Sequence, residues 1–367
     1  MSTYVNLRGY NNQDTKNVVP YQTFPASFIN TGQVWYGADN NFYIQKQTAT
    51  VNSWSIGNNP PATSPSNSFS SGACGTQTAA LGYGKILSPA PGFNPTAASI
   101  LAESYDGTNW TGIANLNTIR SGGASSTAGS QTATVVFGGF LNNPPAPPSA
   151  IRSNTISKWD GSSWTAGNNM PFFRSGLGGS GTSTAALAFG GIQNPTAPAP
   201  TRPTGTAAKY DGTNWTNVNN MATTPLGTSG FSGLVGTGTQ TATIGWAGGP
   251  QIGGDMQVYD GTNWTNIPRL TAQRRNGGLA GTSTAGVAFA GIQGQPESGV
   301  GRQTEVWNGT TWTTLLDRNV GTSSCPGVGS STSALSAAGT FSPQAPPSIS
   351  TTEEWSTNLF SSKLTTS

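Results

Sequence analysis

Few residue types in this sequence could carry out chemistry. Its 367 residues include no histidine, and only 8% are Asp, Glu, Lys or Arg, compared with about 25% in ordinary domains. Without histidine, a Ser-His-Asp or Cys-His nucleophile cannot be assembled, and zinc sites built on the usual His and Cys spacing are excluded. We therefore expect no enzyme activity, no cofactor and no bound metal.

Four aspartates occur at the same position of a repeated motif, aromatic-Asp-Gly-polar-polar-Trp. They are Asp106, Asp160, Asp211 and Asp260. A calcium loop needs several carboxylates, whereas each of these turns offers one. We expect each aspartate to accept hydrogen bonds from amides of its own turn, and the glycine to supply the positive φ of a tight hairpin.

Arginines also recur at one position of the repeat. Arg120, Arg174 and Arg274 each stand ten residues after a tryptophan of that motif, and Arg275 follows the last of them. The basic residues form no stripe, so binding to nucleic acid is not expected. We expect the arginines to brace the mouth of a central channel. An arginine cluster that binds a substrate is the alternative.

The two cysteines, Cys74 and Cys325, are expected to be free thiols. Both fall in small-residue segments at opposite ends of the repeat region. Their positions within the repeat differ by three residues, which is roughly 10 Å along a strand. That offset is too large for the geometry of a disulfide.

The elements that position these residues repeat roughly every 50 residues, and aromatic residues mark the period. Six tryptophans keep the spacing and a seventh lies in a partial last copy: Trp54, Trp110, Trp164, Trp215, Trp264, Trp312 and Trp355. A period of this length, with short apolar runs and turn signals, is typical of a β-propeller blade. We predict that these rings pack neighbouring blades together.

Each repeat reads as four strands: a Gly/Ser/Ala-rich inner strand, a Thr-Ala strand ending in an aromatic and glycine, a Tyr-Asp strand and a Trp strand. The glycines of the inner strand predict a close approach of another backbone. The chain ends are unpaired: Val51–Ile56 is a Trp strand without a third strand, and Thr352–Trp355 is a third strand without a Trp strand. We predict an all-β, six-bladed propeller with three-plus-one strand closure. A straight solenoid would leave both as exposed edges.

These motifs allow a resemblance to be named. The glycine-ended second strand, the Tyr-Asp, the Trp and the arginine ten residues later resemble kelch repeats over residues 50 to 358. The motif Tyr-Asp-Gly-Thr-Asn-Trp-Thr also resembles the repeat motif of kelch-like structural proteins of tailed bacteriophages of marine bacteria. The first resemblance implies a fold, and the second implies a place in a virion.

Three segments are predicted along the chain: an N-terminal arm at 1–47, the propeller at 48–360 and a short tail at 361–367. The arm is rich in aromatic residues, which include Trp35, Tyr36 and Tyr43, and it reads as a hairpin, Val34–Tyr36 with Phe42–Ile44. Exposed aromatic surface of this extent needs a cover. We expect the arm to dock on other virion proteins, with packing on its own ring as the alternative.

Most of the 25 prolines fall in the loops that follow the second strands, such as 87–95, 143–148, 195–203 and 342–347. Proline lowers the entropy lost when a loop becomes ordered, so one face of the ring carries stiff loops suited to contact. We expect a host-surface glycan or protein as the partner of this face. Tolerated surface insertions are the alternative.

The sequence thus favours a structural virion protein, a capsid decoration or a tail or fibre component, displayed on head or tail. A lectin-like propeller that stacks sugars on aromatic rings is the alternative function. No secretory signal is apparent and no apolar run is long enough to span a membrane. We expect synthesis in the host cytoplasm, location in the virion and no membrane insertion.

Overall fold

The computed structural model describes residues 34–36, 42–44, 50–61, 68–69, 72–86, 99–141, 151–193, 202–222, 233–247, 254–293, 299–339 and 351–359. All regular elements of these residues are β-strands. The chain divides into two compact units, one formed by Met1–Val51 with Thr357–Ser367 and the other by Asn52–Ser356.

The larger unit is built on six four-stranded antiparallel sheets, the blades of a propeller. In blades one to five the strands follow in chain order from the inner to the outer strand. The strands of blade one are Ala73–Thr76, Ala79–Tyr83, Ala102–Tyr105 and Trp110–Gly112, and those of blade two are Ala124–Ser125, Thr134–Phe137, Ile156–Trp159 and Trp164–Ala166. Blade three has Gly178–Thr182, Ala185–Phe189, Ala207–Tyr210 and Trp215–Val218, and blade four has Val235–Thr239, Ala242–Ala247, Asp255–Tyr259 and Trp264–Ile267. Blade five has Gly278–Gly281, Gly286–Phe289, Thr304–Trp307 and Trp312–Thr314.

Blade six takes its strands from both ends of the repeat region. Gly327–Gly329, Ser333–Ser336 and Thr352–Leu359 form its first three strands, and Thr50–Gly57 pairs with Thr352–Leu359 as the outer strand. The predicted three-plus-one closure of a six-bladed ring is therefore confirmed. The pairing joins residues about 300 positions apart, so the ring closes through hydrogen bonds rather than through a covalent link.

The antiparallel order of each blade defines two sides of the ring. The connections after strands one and three lie on one side, here called the turn side. Those after strands two and four lie on the other, the loop side. Short sheets on the loop side extend the blade strands: Ser68–Phe69 with Lys85–Ile86, Phe140–Leu141 with Ile151–Arg152, Arg174–Ser175 with Ile192–Gln193 and Arg202–Pro203, and Arg274–Arg275 with Ile292–Gln293 and Gly299–Val300.

The smaller unit contains the predicted N-terminal hairpin. Val34–Tyr36 pairs antiparallel with Phe42–Ile44, which places Trp35 opposite Tyr43 and Tyr36 opposite Phe42 along the backbone. The remaining residues of the arm and the tail at 361–367 lie outside the described residues, and the docking of the arm stays a prediction.

Inner strands of neighbouring blades approach each other backbone to backbone. A Cβ atom added at Gly179 of blade three would lie 2.3 Å from the carbonyl oxygen of Ser125 in blade two. One added at Gly236 of blade four would lie 2.6 Å from the carbonyl oxygen of Gly179. No side chain fits at these distances, so the close approach predicted from the glycine-rich segments is present.

The outer-strand tryptophans lie in the seams between blades. The ring of Trp264 is 5.0 Å from Tyr259 of its own blade and 4.8 Å from Phe189 of the preceding blade. The same arrangement recurs with Trp164 on Tyr83, Trp215 on Phe137 and Trp54 on Phe289, while Trp312 shares a cluster with Trp246 and Trp355 lies 5.4 Å from Trp54.

The seam that closes the ring departs from this pattern. Ala337 of blade six stands where the other second strands carry an aromatic residue, so Trp110 of blade one has no such ring to meet. Phe69, from the segment that enters blade one, lies 5.0 Å from Trp110 and fills the space beside Ala337. Trp110 also donates its indole N–H to Oγ1 of Thr352 at 3.0 Å.

A glutamine on the turn side fastens the same seam. Nε2 of Gln77 donates to the carbonyl oxygen of Trp355 at 2.7 Å and to that of Ala334 at 3.3 Å. Gln131 and Gln240 bond the preceding blade in the same way at two other seams. These glutamines are the first residues of the Gln-Thr-Ala motif in the sequence, so the repeated glutamine connects neighbouring blades by hydrogen bonds.

Replacement of Trp264 tests how much one seam contributes. The Trp264→Ala variant is expected to lose about 3–5 kcal/mol of unfolding free energy, since a large buried aromatic is removed. Asp260→Ala, in the exposed turn of the same hairpin, is the control and is expected to lose clearly less. Urea unfolding measures both values. Equal losses would show that the turn, rather than the seam, supplies the stability.

Candidate binding surface

The recurring arginines are buried inside the blades. Arg120, Arg174 and Arg274 are each at most 2% exposed. Nη1 of Arg174 donates to the carbonyl oxygens of Gly190 and Thr206, both at 2.9 Å, and so ties the end of the second strand to the start of the third. The prediction that they brace a channel mouth is wrong, because their guanidinium groups bond the interior of their own blades.

Blade five supplies its arginine with an acid. Arg274 forms an ion pair with Glu305, and both side chains are fully buried. Burial acts to raise the pKa of Glu305, but the charge of Arg274 and hydrogen bonds from Thr271 outweigh it and hold the pKa below its usual value. The pair thus contributes stability above the pKa of the unfolded state and loses it as the pH falls through the lowered pKa.

Blade six reaches the same arrangement from a different backbone position. Nη2 of Arg318 lies 2.9 Å from Oε1 of Glu353, again with both side chains fully buried. Arg318 stands six rather than ten residues after a seam tryptophan. That position is apolar and buried in the four preceding blades, as Leu116, Met170, Met221 and Leu270. The ten-residue spacing from the tryptophan therefore did not identify Arg318. A charged residue at a repeat position that is otherwise apolar was the signal that could have found it.

Blade three lacks the acid. Ala208 occupies the register position that Glu305 has in blade five. Burial lowers the pKa of Arg174 to about 10, which leaves it protonated at neutral pH. Its guanidinium carbon also lies 4.0 Å from the ring centroid of Phe172. Blade three thus carries a positive charge close below its loop side.

The turn side carries the four aspartates at exposed positions. Oδ1 of Asp211 accepts hydrogen bonds from the backbone N–H groups of Thr213 at 2.8 Å and Asn214 at 2.7 Å, and the other three turns repeat this geometry. These backbone bonds lower the pKa of each aspartate. The turn side therefore keeps its negative charges well below neutral pH.

Amide side chains bridge neighbouring blades at the outer ends of three seams. Asn168 donates to Oδ1 of Asn214 at 3.0 Å, and the pairs Asn58 with Asn109 and Asn219 with Asn263 match it. Each pair joins an asparagine four residues after one seam tryptophan to the asparagine just before the next. This repetition was visible in the sequence, yet its meaning depended on which blades are neighbours.

The loop side is described at the bases of its proline-rich loops, and the loops themselves at 87–98, 142–150, 194–201 and 340–350 lie outside the described residues. Two apolar side chains are exposed there, Ile119 at 40% and Phe173 at 52%. Each directly precedes a buried arginine. Phe140 and Leu141 of the adjoining short sheet are half-buried. These four residues are here called the loop-side apolar patch.

A pocket of about 380 Å³ opens between the inner turns of blades one and six. Gly75, Thr76, Gln77 and Thr78 line it from blade one, and Gly329, Ser330 and Ser333 from blade six. Its lining carries no charge, and Gln77 is already engaged in the closure bonds. The pocket is a feature of the closing seam.

The described residues contain no group of three or more Cys, Asp or Glu side chains placed to hold a metal ion. Within the same residues, no helix has the length and apolar character needed to cross a membrane. Cys74 and Cys325 are both buried and free, as predicted, and burial raises the pKa of the Cys74 thiol to about 11.

No family model and no curated protein matches the sequence. Among solved structures, the chain is similar to one titled "Structure of YjhT", with 13% identity and a TM-score of 0.60 over 80% of this chain and 96% of that one. At this identity the likeness shows the fold alone. The chain is a six-bladed β-propeller, a fold consistent with binding or interaction, and the resemblances to kelch repeats and phage proteins remain predictions.

Removal of Glu305 tests the buried ion pair. Glu305→Gln is expected to lower the unfolding free energy by about 3–5 kcal/mol, because it leaves the charge of Arg274 buried and uncompensated. The double variant Arg274→Met with Glu305→Gln should recover part of that loss. Asp317→Asn, which removes a charge at an exposed position, is the control and should cost at most about 1 kcal/mol. A double variant no more stable than Glu305→Gln would refute this account.

Proposed function

We propose that the chain is a non-catalytic structural protein of a phage virion. Its propeller is displayed on the surface of the head or tail, held through the N-terminal arm, and makes contact through its loop side. The propeller fold is consistent with a binding role, and the amino-acid sequence of the repeats, which resembles that of phage structural proteins, supports placement in a virion. The absence of histidine from the whole sequence supports a role without catalysis.

The observation that carries the proposal is the construction of blade six. Blades one to five join their third and outer strands by a tight turn, and those strands are three to five residues long. Blade six has no such turn. Its third and outer strands are eight residues each, and the free ends of these two strands lie on the turn side of the ring. Every chain connection on the loop side therefore joins two strands of the ring.

The loop-side apolar patch supports contact on that side. Phe173 and Ile119 offer exposed apolar surface, which is where interface energy concentrates once it is covered. The charge of Arg174, without a glutamate at the position of Ala208, makes the same region positive. A host-surface molecule with apolar and acidic groups fits this surface.

The lectin-like alternative depends on an aromatic ring that a sugar can reach. Five of the seam tryptophans do not qualify, because Trp54, Trp110, Trp164, Trp264 and Trp312 are all less than 9% exposed. Trp215 is partly buried and packs against the core of its seam. Phe173 does qualify, since about half of its side chain faces solvent. A glycan array with the whole chain separates the two functions: reproducible binding that Phe173→Ala abolishes would favour a lectin.

Replacement of Phe173 tests contact through the loop side. Virions carrying Phe173→Ser are expected to adsorb to host cells about tenfold more weakly, the effect of truncating one apolar anchor. Leu316→Ser is the matched control, since Leu316 is exposed to a similar degree, at 57%, but lies outside the loop-side apolar patch. Unchanged melting of both variants ensures that the comparison reports binding. Equal adsorption of both would contradict the assigned surface.

Two deletions test anchoring through the arm. A chain lacking residues 1–40 keeps the outer strand Thr50–Gly57 and is expected to fold as a ring yet fail to enter particles. A chain lacking residues 1–58 loses that strand together with Trp54 and is expected not to fold. Circular dichroism melting and the protein content of purified virions measure the two outcomes. Normal incorporation of the shorter deletion would refute anchoring by the arm.

A further inference from the structure

One of the five hairpin turns differs from the others at its first position. Blade five has Asn308-Gly309 where blades one to four have Asp-Gly. Oδ1 of Asn308 accepts hydrogen bonds from the backbone N–H groups of Thr310 at 2.9 Å and Thr311 at 2.8 Å. The aspartates of the other turns accept the same two bonds, so the turn geometry does not distinguish an amide from a carboxylate.

An Asn-Gly pair can convert itself to an acid. The backbone nitrogen of the glycine attacks Cγ of the asparagine, a new N–C bond closes a five-membered succinimide, and ammonia leaves. Water then opens the ring at one of its two carbonyls, which yields aspartate or isoaspartate. The step needs only water and the removal of the glycine amide proton, and the absence of a Cβ on glycine leaves the nitrogen unhindered.

The turn of blade five meets these requirements. Asn308 and Gly309 are both exposed, so water reaches the reacting atoms. Within the part of the chain that the structure describes, the backbone N–H of Gly309 donates no hydrogen bond to a protein atom. No protein acceptor therefore holds its proton. The hydrogen bonds to Oδ1 of Asn308 further polarise the side-chain carbonyl toward attack.

We propose that Asn308 is a self-modification site, at which spontaneous deamidation converts the fifth turn to the aspartate form of the other four. The fold favours aspartate over isoaspartate as the product. Isoaspartate would insert one more backbone carbon between Trp307 and Trp312, whose rings pack 5.3 Å apart across this turn. Aspartate instead fits without change, and the turn amides stabilise its charge, as the lowered pKa values of Asp106 and Asp211 indicate.

The chain carries its own control in Asn276-Gly277, its other Asn-Gly pair. Gly277 is buried, and a Cβ added there would lie 2.4 Å from the ring of Trp246 and 2.5 Å from the carbonyl oxygen of Phe289. The carbonyl oxygen of Asn276 accepts a hydrogen bond from Ser324 at 2.6 Å. Ring closure needs the backbone to rotate around this pair, and the packing prevents that rotation.

Peptide mass analysis of the folded chain, incubated at neutral and at mildly alkaline pH, tests the proposal. The mass of the peptide with residue 308 should increase by the difference between a carboxylic acid and an amide, and this increase should be faster at the higher pH. The mass of the peptide with residue 276 should stay unchanged. In urea-unfolded chain both peptides should react. An isoaspartate-specific methyltransferase should label residue 308 weakly in the folded chain and strongly in the unfolded chain.

Two variants complete the test. Asn308→Asp should melt at the same temperature as the parent or higher, because the turn already holds aspartate in four blades. Asn308→Gln should abolish the mass change at this site without affecting the fold. An intact Asn308 in folded chain under conditions that deamidate the unfolded chain would overturn the proposal. So would equal reaction at residues 276 and 308 in the folded chain, or isoaspartate as the main folded product.

Discussion

The structure depends on aromatic packing between consecutive blades. Blades one to five each present an aromatic ring at the end of the second strand. The outer-strand tryptophan of the next blade enters the space between that ring and the ring at the end of its own third strand, as Trp264 does between Phe189 and Tyr259. A single blade cannot bury these rings by itself. Because only 8% of the residues are charged, ionic contacts between blades cannot replace this packing, and the ring is stable only when all six seams are closed.

Closure places the greatest demand on the seam between blades six and one. The repeat fails there, since Ala337 offers no ring, and several devices act together in its place: Phe69 fills the cavity, Gln77 bonds two carbonyl oxygens of blade six, and Tyr105 donates to Oε1 of Glu354 at 2.6 Å. Polar bonds that are partly shielded from water are stronger than exposed ones. The last seam is thus held by more varied contacts than the repeated ones, as a junction between distant parts of a chain requires.

The architecture could be predicted from the sequence because it is periodic. Tryptophan spacing, glycine-ended strands and two unpaired end strands were sufficient for blade number and closure. The features that escaped prediction are those that break the period. Arg318 reaches the place of an arginine from a position four residues earlier, and Phe69 has no counterpart in the repeats. The role assigned to Arg120, Arg174 and Arg274 was wrong because spacing gives a residue's position along a strand, but not the direction of a long side chain.

The eight-residue outer strand of blade six also has a mechanical meaning. If the particle holds the arm and a host molecule holds the loop side, tension enters the ring at Thr50 and runs along this strand. The ladder to Thr352–Leu359 then carries the load in shear, with its hydrogen bonds strained together rather than opened one after another. The Trp54 ring, wedged between Phe289 and Trp355, opposes sliding in the same direction. The strand that completes the fold would therefore also serve as the force-bearing joint between particle and host.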